Sequence, residues 1–387
     1  MEHHCDRYAK YHPMSIAVYT NETQEQVLEM LRQMDCPVDV DYDMENEEDE
    51  EEEGEQEDGD RDDQVPDSEA DGEDVGHRKL SETTQQRPLL QVAVLDARTH
   101  GAWNDYPVNE LRNLALQQVD TSYIIYIDVD FWPSEGLYES IMNSRDVHDA
   151  LMQDPKRAIV IPAFSLMRQC LEWKECPDQN IPKMPRSLSD LANGVKKKRV
   201  TIFDPTNRGG HGSTDYRGWF HQGIGSLHDI SCLQSHRYEP FVMIRYCRDL
   251  PPFQEAFSGY GKNKVTWMMQ VVASGYVFSQ VGGAYLVHYP HLDSQSRQHW
   301  NEAPKALQIP MSQQDQQKRD AGQVQQEYFN LRRPKKTDRN LHLADYKRGQ
   351  VDHLYVEFRK WLSEAVPSTY TRLSLCEDAQ NDDGKLW

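Results

Sequence analysis

The stretch YIIYIDVDFWPS, residues 123–134, decides how the rest of this chain is read. Its first half is almost continuously apolar, the pattern of a strand buried on both faces rather than one half open to water. It runs into two carboxylates, Asp128 and Asp130, with Val129 between them. If the strand continues through residue 130, its period of two sends both carboxylates to one face. In an open α/β sheet, ligands gather beyond the carboxyl ends of the strands. Two like charges side by side are unfavourable unless a cation or a proton intervenes. Mg²⁺ or Mn²⁺ held by carboxylates and substrate phosphates is the commonest use of such a pair. The aromatic residues and turn that follow, FWPS, suit a cover over a nucleotide diphosphate.

Outward from this stretch, LLQVAVLD (89–96) reads as a strand and PVNELRNLALQQV (107–119) as a helix opened by Pro107. RAIVIPAF (157–164) and FVMIRY (241–246) read as further strands, NKVTWMMQVVASG (263–275) as a helix closed by Gly275, and 275–291 as two short strands. Upstream, 14–19 predicts a strand, and 23–34 a helix with Val27, Met30, Leu31 and Met34 on one face and Thr23 as cap. Strands alternating with helices predict an α/β domain, a mostly parallel sheet flanked by helices. A last amphipathic helix is expected over 351–366, with Leu354, Phe358, Trp361 and Leu362 on one side.

A length of 387 residues is ample for a large buried core. The net charge is −22, but residues 43–74 alone carry −19, with 20 Asp or Glu against the single Arg61, so the remainder sums to −3. Near-neutrality without a basic stripe argues against a nucleic-acid partner. From 43 to 88 the chain has too little apolar surface to offset the entropy of ordering, and a disordered insertion is expected there. The expected organisation is thus the start of the domain at 1–42, the insertion at 43–88, the rest of the domain at 89–300, and a polar tail with one helix at 301–387.

No run of eighteen apolar residues occurs, so no membrane anchor is present in this chain. The opening residues lack the apolar stretch of a signal peptide, which leaves a cytoplasmic protein or a missing amino end. The seven cysteines are scattered, with no C-x-x-C pair and no zinc spacing. A disulfide between Cys170 and Cys176, or between Cys232 and Cys247, stays open.

A phosphatase of the haloacid dehalogenase kind also opens on D-x-D after a strand, but it usually has Thr or Val two residues on, where this chain has Trp132. A different resemblance is carried by seven blocks in order: YPVNELRNLAL (106–116), TSYIIYIDVDFWPSEGLYE (121–139), VIPAF (160–164), GHGSTDYRGW (210–219), YEPFVMIR (238–245), EAFSGYGKNKV (255–265) and YLVHYPH (285–291). Together they resemble glycosyltransferase family 49, which holds the β-1,4-glucuronyltransferase and the carboxyl-terminal domain of the LARGE-type enzymes. The likeness covers about 14–295 apart from the acidic insertion.

The resemblance implies a GT-A fold and an inverting transferase. Such an enzyme moves a sugar, glucuronate being the best-known, from a UDP-sugar to a glycan or glycoprotein acceptor with Mn²⁺ (or Mg²⁺). Asp128, Asp130 and His288 are the implied metal ligands, with His291 a neighbour that competes for that place. For the general base, Glu255 is the first choice and Asp215 the second. The family's Asp-Glu before Arg-Phe reads Gln254-Glu255-Ala256 here, and its T-N-Y reads Thr214-Asp215-Tyr216. Asn109, Arg112, His211, Thr214, Asn263 and Lys264 are the implied donor or acceptor contacts. Arg112 has a rival reading as a buried ion-pair partner, and Trp132, Trp219 and Trp267 read as core or lid aromatics.

Relatives of this family work in the Golgi lumen behind an amino-terminal anchor, so Golgi residence is the expectation and the amino end is expected to be incomplete; cytoplasmic residence is the alternative. Two other function classes compete. One is a catalytically silent module that binds glycan or a partner protein. The other is an acidic interaction protein acting through 43–74, which deletion of that tract would separate from a transferase.

Overall fold

The computed structural model describes residues 1–39, 88–99, 106–168, 170, 172–294, 296–298, 300 and 347–377. The insertion expected over 43–88 lies outside them but for Pro88, as do 301–346 and 378–387 of the expected tail.

In chain order the strands are β1 (Met14–Thr20), β2 (Leu90–Asp96), β3 (Tyr123–Ile125), β4 (Phe131–Pro133), β5 (Arg157–Ile161), β6 (Ala163–Leu166), β7 (Val200–Ile202), β8 (Leu227–Ile230), β9 (Phe241–Arg245), β10 (Val277–Val281) and β11 (Leu286–His288). They form a two-stranded sheet β1-β2, a five-stranded sheet β3-β9-β5-β10-β8 and a four-stranded sheet β4-β11-β6-β7. The chain is α/β as expected. The pairing is mixed rather than mostly parallel: only β1·β2, β5·β10 and β6·β11 run parallel among the described pairs. The error has a physical origin. The apolar run of β9 lies between β3 and β5, antiparallel to both, and a strand buried on both faces looks the same in either direction.

At three places the chain passes from the five-stranded sheet to the four-stranded one, and two of them interrupt a run read as a single strand. The run 157–164 breaks at Pro162, which has no N–H to give a ladder, between β5 and β6. The run 275–291 breaks between β10 and β11, where Gly283 has φ +87. The run 123–130 stops at Ile125, and Tyr126 to Asp130 form a turn closed by Phe131 N donating to the Asp128 carbonyl (2.9 Å).

The central strands alternate between two cores. Ala158 and Val160 face a cluster with Phe253, Trp267 and Phe278, while Ile159 and Ile161 face one with Leu137, Ile141 and Val147. Helix Asn263–Ala273 covers the first face through Trp267, Met268 and Val271. Helix Val108–Leu116 lies against β1, where Ser15 Oγ donates to the Ala115 carbonyl (2.6 Å). Helix Gln24–Gln33 is capped by Thr23, with Gln26 closing the reciprocal capping box. Helix Lys347–Ala365 buries Val351, Tyr355, Phe358 and Leu362 against Phe257 and Val265. Three disulfides tie the fold: Cys5–Cys36, Cys170–Cys176 and Cys232–Cys376. Cys232 therefore does not pair with Cys247, which is a free thiol.

Candidate functional site

The turn between β3 and β4 opens into a cavity of about 1940 Å³ that reaches from β1 to the loop before helix Asn263–Ala273. Because β4 pairs antiparallel with β11, His288 stands opposite Phe131, next to Asp130. The chain then folds back so that Tyr289 N donates to the Asp130 carbonyl (2.7 Å) and His291 returns to the same carboxylate. His288 Nε2 lies 3.2 Å and His291 Nε2 2.9 Å from Asp130 Oδ2. The three side chains offer ligand atoms all within 4.8 Å of one another.

Three observations fit this trio to a cation. Asp130 Oδ1 is buried with no hydrogen-bond partner, an acceptor without a positive neighbour of its own. His291 Nδ1 donates to the Leu292 carbonyl (2.6 Å), which leaves the lone pair of a neutral ring on Nε2, facing Asp130. Without a metal, that nitrogen meets the carboxylate only by carrying a second proton, and the hydrogen bond it donates to Asp130 raises the His291 pKa accordingly. Burial works against the charge of Asp130, but the hydrogen bonds from His288 and His291 outweigh it and hold the carboxyl well below its usual range.

Asp128 is turned away from this group. Its Oδ1 accepts from Arg112 Nη2 (2.9 Å) and from the Tyr126 hydroxyl. Arg112 also donates to Asn109 Oδ1 (2.8 Å) and lies over the rings of Tyr126 and Phe253. Burial opposes the charge of Arg112, and Tyr126 and Asp128 more than offset it, so the guanidinium stays above its ordinary pKa. The strand ends five residues before Asp130, so alternation does not carry as far as the two carboxylates.

Residues 1–322 match the model of glycosyltransferase family 49, described as glycosyl-transferase for dystroglycan. The chain belongs to this family. Among curated relatives, it is 33% identical over 190 residues to the xylosyl- and glucuronyltransferase LARGE1 of Danio rerio. It is 30% identical over 190 residues to LARGE1 of Homo sapiens, and 31% over 186 residues to the glycosyltransferase-like protein gnt14 of Dictyostelium discoideum. These alignments take in 49%, 49% and 48% of this chain, and 23%, 23% and 27% of the relatives, so the chain spans about a quarter of their length. A solved structure of GalNAc-T7 with UDP, GalNAc and Mn²⁺ superposes over 71% of this chain and 45% of that one at 11% identity. Its TM-score of 0.32 lends no weight to the argument.

The residues singled out by likeness to family 49 fall into two groups. Arg112, His211, Asn263 and Lys264 line the cavity with Asp128, Asp130 and His288. Burial, with Lys264 pushing the same way, lowers the His211 pKa to about 3, so this imidazole is neutral at physiological pH. Lys264 is buried with Nζ 3.8 Å from the Phe241 ring centroid. Asn263 Nδ2 donates to the Gly259 carbonyl (2.8 Å), holding a loop in which Gly259, Gly261 and Lys262 all have positive φ.

The rest brace the site from outside. Asn109 is fully buried and donates to the Gln254 carbonyl (2.7 Å). Thr214 shares a hydroxyl contact with Tyr238 (2.7 Å). Neither expected base lines the cavity. Asp215 caps the short helix Tyr216–Trp219, its Oδ1 accepting from Gly218 N (2.9 Å), and Glu255 is exposed and held by Asn113 Nδ2 (2.8 Å). Trp219 and Trp267 are core residues, and Trp132 is buried under His3, His4 and Arg7.

Sequence reasoning missed two contributors. His4 Nε2 donates to the Val129 carbonyl (2.8 Å) inside the D-V-D turn. Glu239, two residues before β9 and within the block 238–245, lines the cavity.

Proposed function

We propose that this chain is an inverting, metal-dependent transferase of GT-A organisation. It moves a sugar, glucuronate in the first instance, from a UDP-sugar to a glycan on a glycoprotein. The observation that carries this reading is the convergence of Asp130, His288 and His291 on the cavity beside the family's D-x-D turn. One carboxylate with two imidazoles suits Mn²⁺ better than Mg²⁺, which prefers oxygen alone. When bound, the metal supplies Lewis-acid stabilisation of the leaving diphosphate. Asp128 keeps its place through Arg112 and lines the donor side of the cavity. Lys264 and Arg297, on the cavity wall, offer cations to phosphate or to the sugar carboxylate. Of the departures from the family pattern, Gln254, Ala256 and Asp215 lie outside the cavity lining and lend the silent module little support, whereas Lys262, where the family commonly has an aromatic residue, lies on it.

Three disulfides favour an oxidising compartment, in keeping with the Golgi lumen. Among the described residues, no helix is long and apolar enough to cross a membrane.

The test is transfer and UDP release across a panel of UDP-sugars with simple β-xylosides, alongside Asp130→Asn. Turnover with UDP-glucuronate that chelation and the variant both abolish is the expected result. Turnover with another donor alone would replace glucuronate, and Mn²⁺-dependent UDP binding without any turnover would restore the silent module.

A further inference from the structure

Resting on the transferase reading above, we propose that Glu239 is the group that takes the proton from the acceptor hydroxyl. Among the described residues the carboxylates lining the cavity are Asp120, Asp128, Asp130, Asp204, Glu239 and Asp293. Asp128 is neutralised by Arg112, and Asp130 is shared by His288 and His291. Asp120 stands before β3, at the opposite end of that strand from the D-V-D turn. Asp204 and Asp293 are exposed to water, away from the sheltered part of the cavity. Glu239 remains.

Its position follows from strand register. β9 runs antiparallel to β3, with Tyr123 opposite Arg245 and Ile125 opposite Met243. The residues entering β9 therefore lie beside those leaving β3, and Glu239 lies beside the turn that carries Asp128 and Asp130. Its backbone is pinned, Glu239 N donating to the Gly210 carbonyl (2.9 Å), while Oε1 is 3.5 Å from Asn207 Nδ2, a loose contact that leaves the carboxylate available. Burial raises its proton affinity most, Lys264 opposes this, Asp128 and Asp204 add to it, and Arg112 opposes. Lys262 faces it as a further cation. A carboxylate whose proton affinity is raised above its ordinary value accepts a proton more readily than a free one.

The step balances. The acceptor oxygen bonds to the anomeric carbon as its proton passes to Glu239. The bond from that carbon to the diphosphate oxygen breaks, its electron pair leaving with UDP. The carboxylic acid then releases its proton to water.

The experiment compares wild type, Glu239→Gln and Glu239→Asp for kcat and KM with UDP-glucuronate and a β-xyloside, kcat against pH, and UDP affinity with Mn²⁺ by calorimetry. Glu239→Gln should lower kcat by roughly 100-fold or more, with donor KM and UDP affinity within about twofold of wild type. Glu239→Asp should retain part of the rate, and the acid limb of the wild-type kcat profile should vanish from the residual activity of Glu239→Gln. If wild type turns over and Glu239→Gln keeps more than about a tenth of kcat, the assignment alone falls. It also falls if the loss lies in donor KM or UDP binding, which would make Glu239 a donor-binding or structural residue. Wild type that transfers no sugar from any donor overturns the transferase reading and this assignment together.

Discussion

The two carboxylates of the D-V-D turn are chemically identical and physically unlike. Asp130 is the member that reaches both histidines, whereas Asp128 answers the buried guanidinium of Arg112. Asp130→Asn should therefore weaken Mn²⁺-dependent UDP binding by about 100-fold or more, since even partners one shell further out cost 10–100-fold at metal sites. Asp128→Asn should chiefly destabilise the fold, by about 1–3 kcal/mol, because it leaves Arg112 without its counter-ion. Calorimetric titration with urea unfolding separates the two, and equal losses of metal affinity would put Asp128 among the ligands. His211 gives a pH signature. Its pKa is lowered from 6.5 to about 3 by burial, so between those values the unfolded chain binds more protons. The stability it contributes is complete above 6.5 and drains away as pH falls toward 3, at up to about 1.4 kcal/mol per unit. Urea midpoints for His211→Gln should fall less than those of wild type between pH 7 and 5; parallel curves would mean that the imidazole is not held neutral.

At the scale of elements, helix Asn263–Ala273 supports the loop below the site. Trp267 is fully buried, stacks on Phe253 with ring centroids 4.4 Å apart, and donates to the Pro251 carbonyl (2.8 Å). From the other side, Asn113 exchanges hydrogen bonds with the Phe253 backbone, and Asn109 holds Gln254. Trp267→Ala should cost about 3–5 kcal/mol in urea unfolding; a loss under 1 kcal/mol would show that the loop does not depend on it. The helix was legible because its apolar spacing and the closing Gly275, at φ +89, are local signals. The break of the run 157–164 also had its signal, in Pro162. The end of β3 had none: residues 123–127 are apolar throughout, and only the pairing of β4 with β11 in another sheet draws the chain off line.

Across the whole molecule, the described part of the tail is bound into the body. Leu373 joins the core with Trp267, Leu375 bridges to Leu233, and Cys376 pairs with Cys232 across 144 residues. Closing so long a loop restricts the unfolded chain strongly, and replacing both cysteines by serine should cost about 2–5 kcal/mol under non-reducing conditions. Denaturation of the double variant against wild type, oxidised and reduced, is the check. An oxidised midpoint that the substitutions leave unmoved would mean that the bond does not form.

By itself the sequence determined the α/β class, most of the long helices and strands, the D-x-D turn and the likeness that led to the family. These rest on local periodicity, caps and contiguous motifs. Tertiary structure alone decided the mixed pairing, the partner of Cys232, the placing of Asp215 and Glu255 outside the cavity and the presence of Glu239 within it. It also decided that His291 joins His288 on Asp130, across separations of 161 and 158 residues. Those outcomes depend on which strands meet and in what register, a choice made by burying several apolar faces at once, to which no single stretch of chain holds the answer.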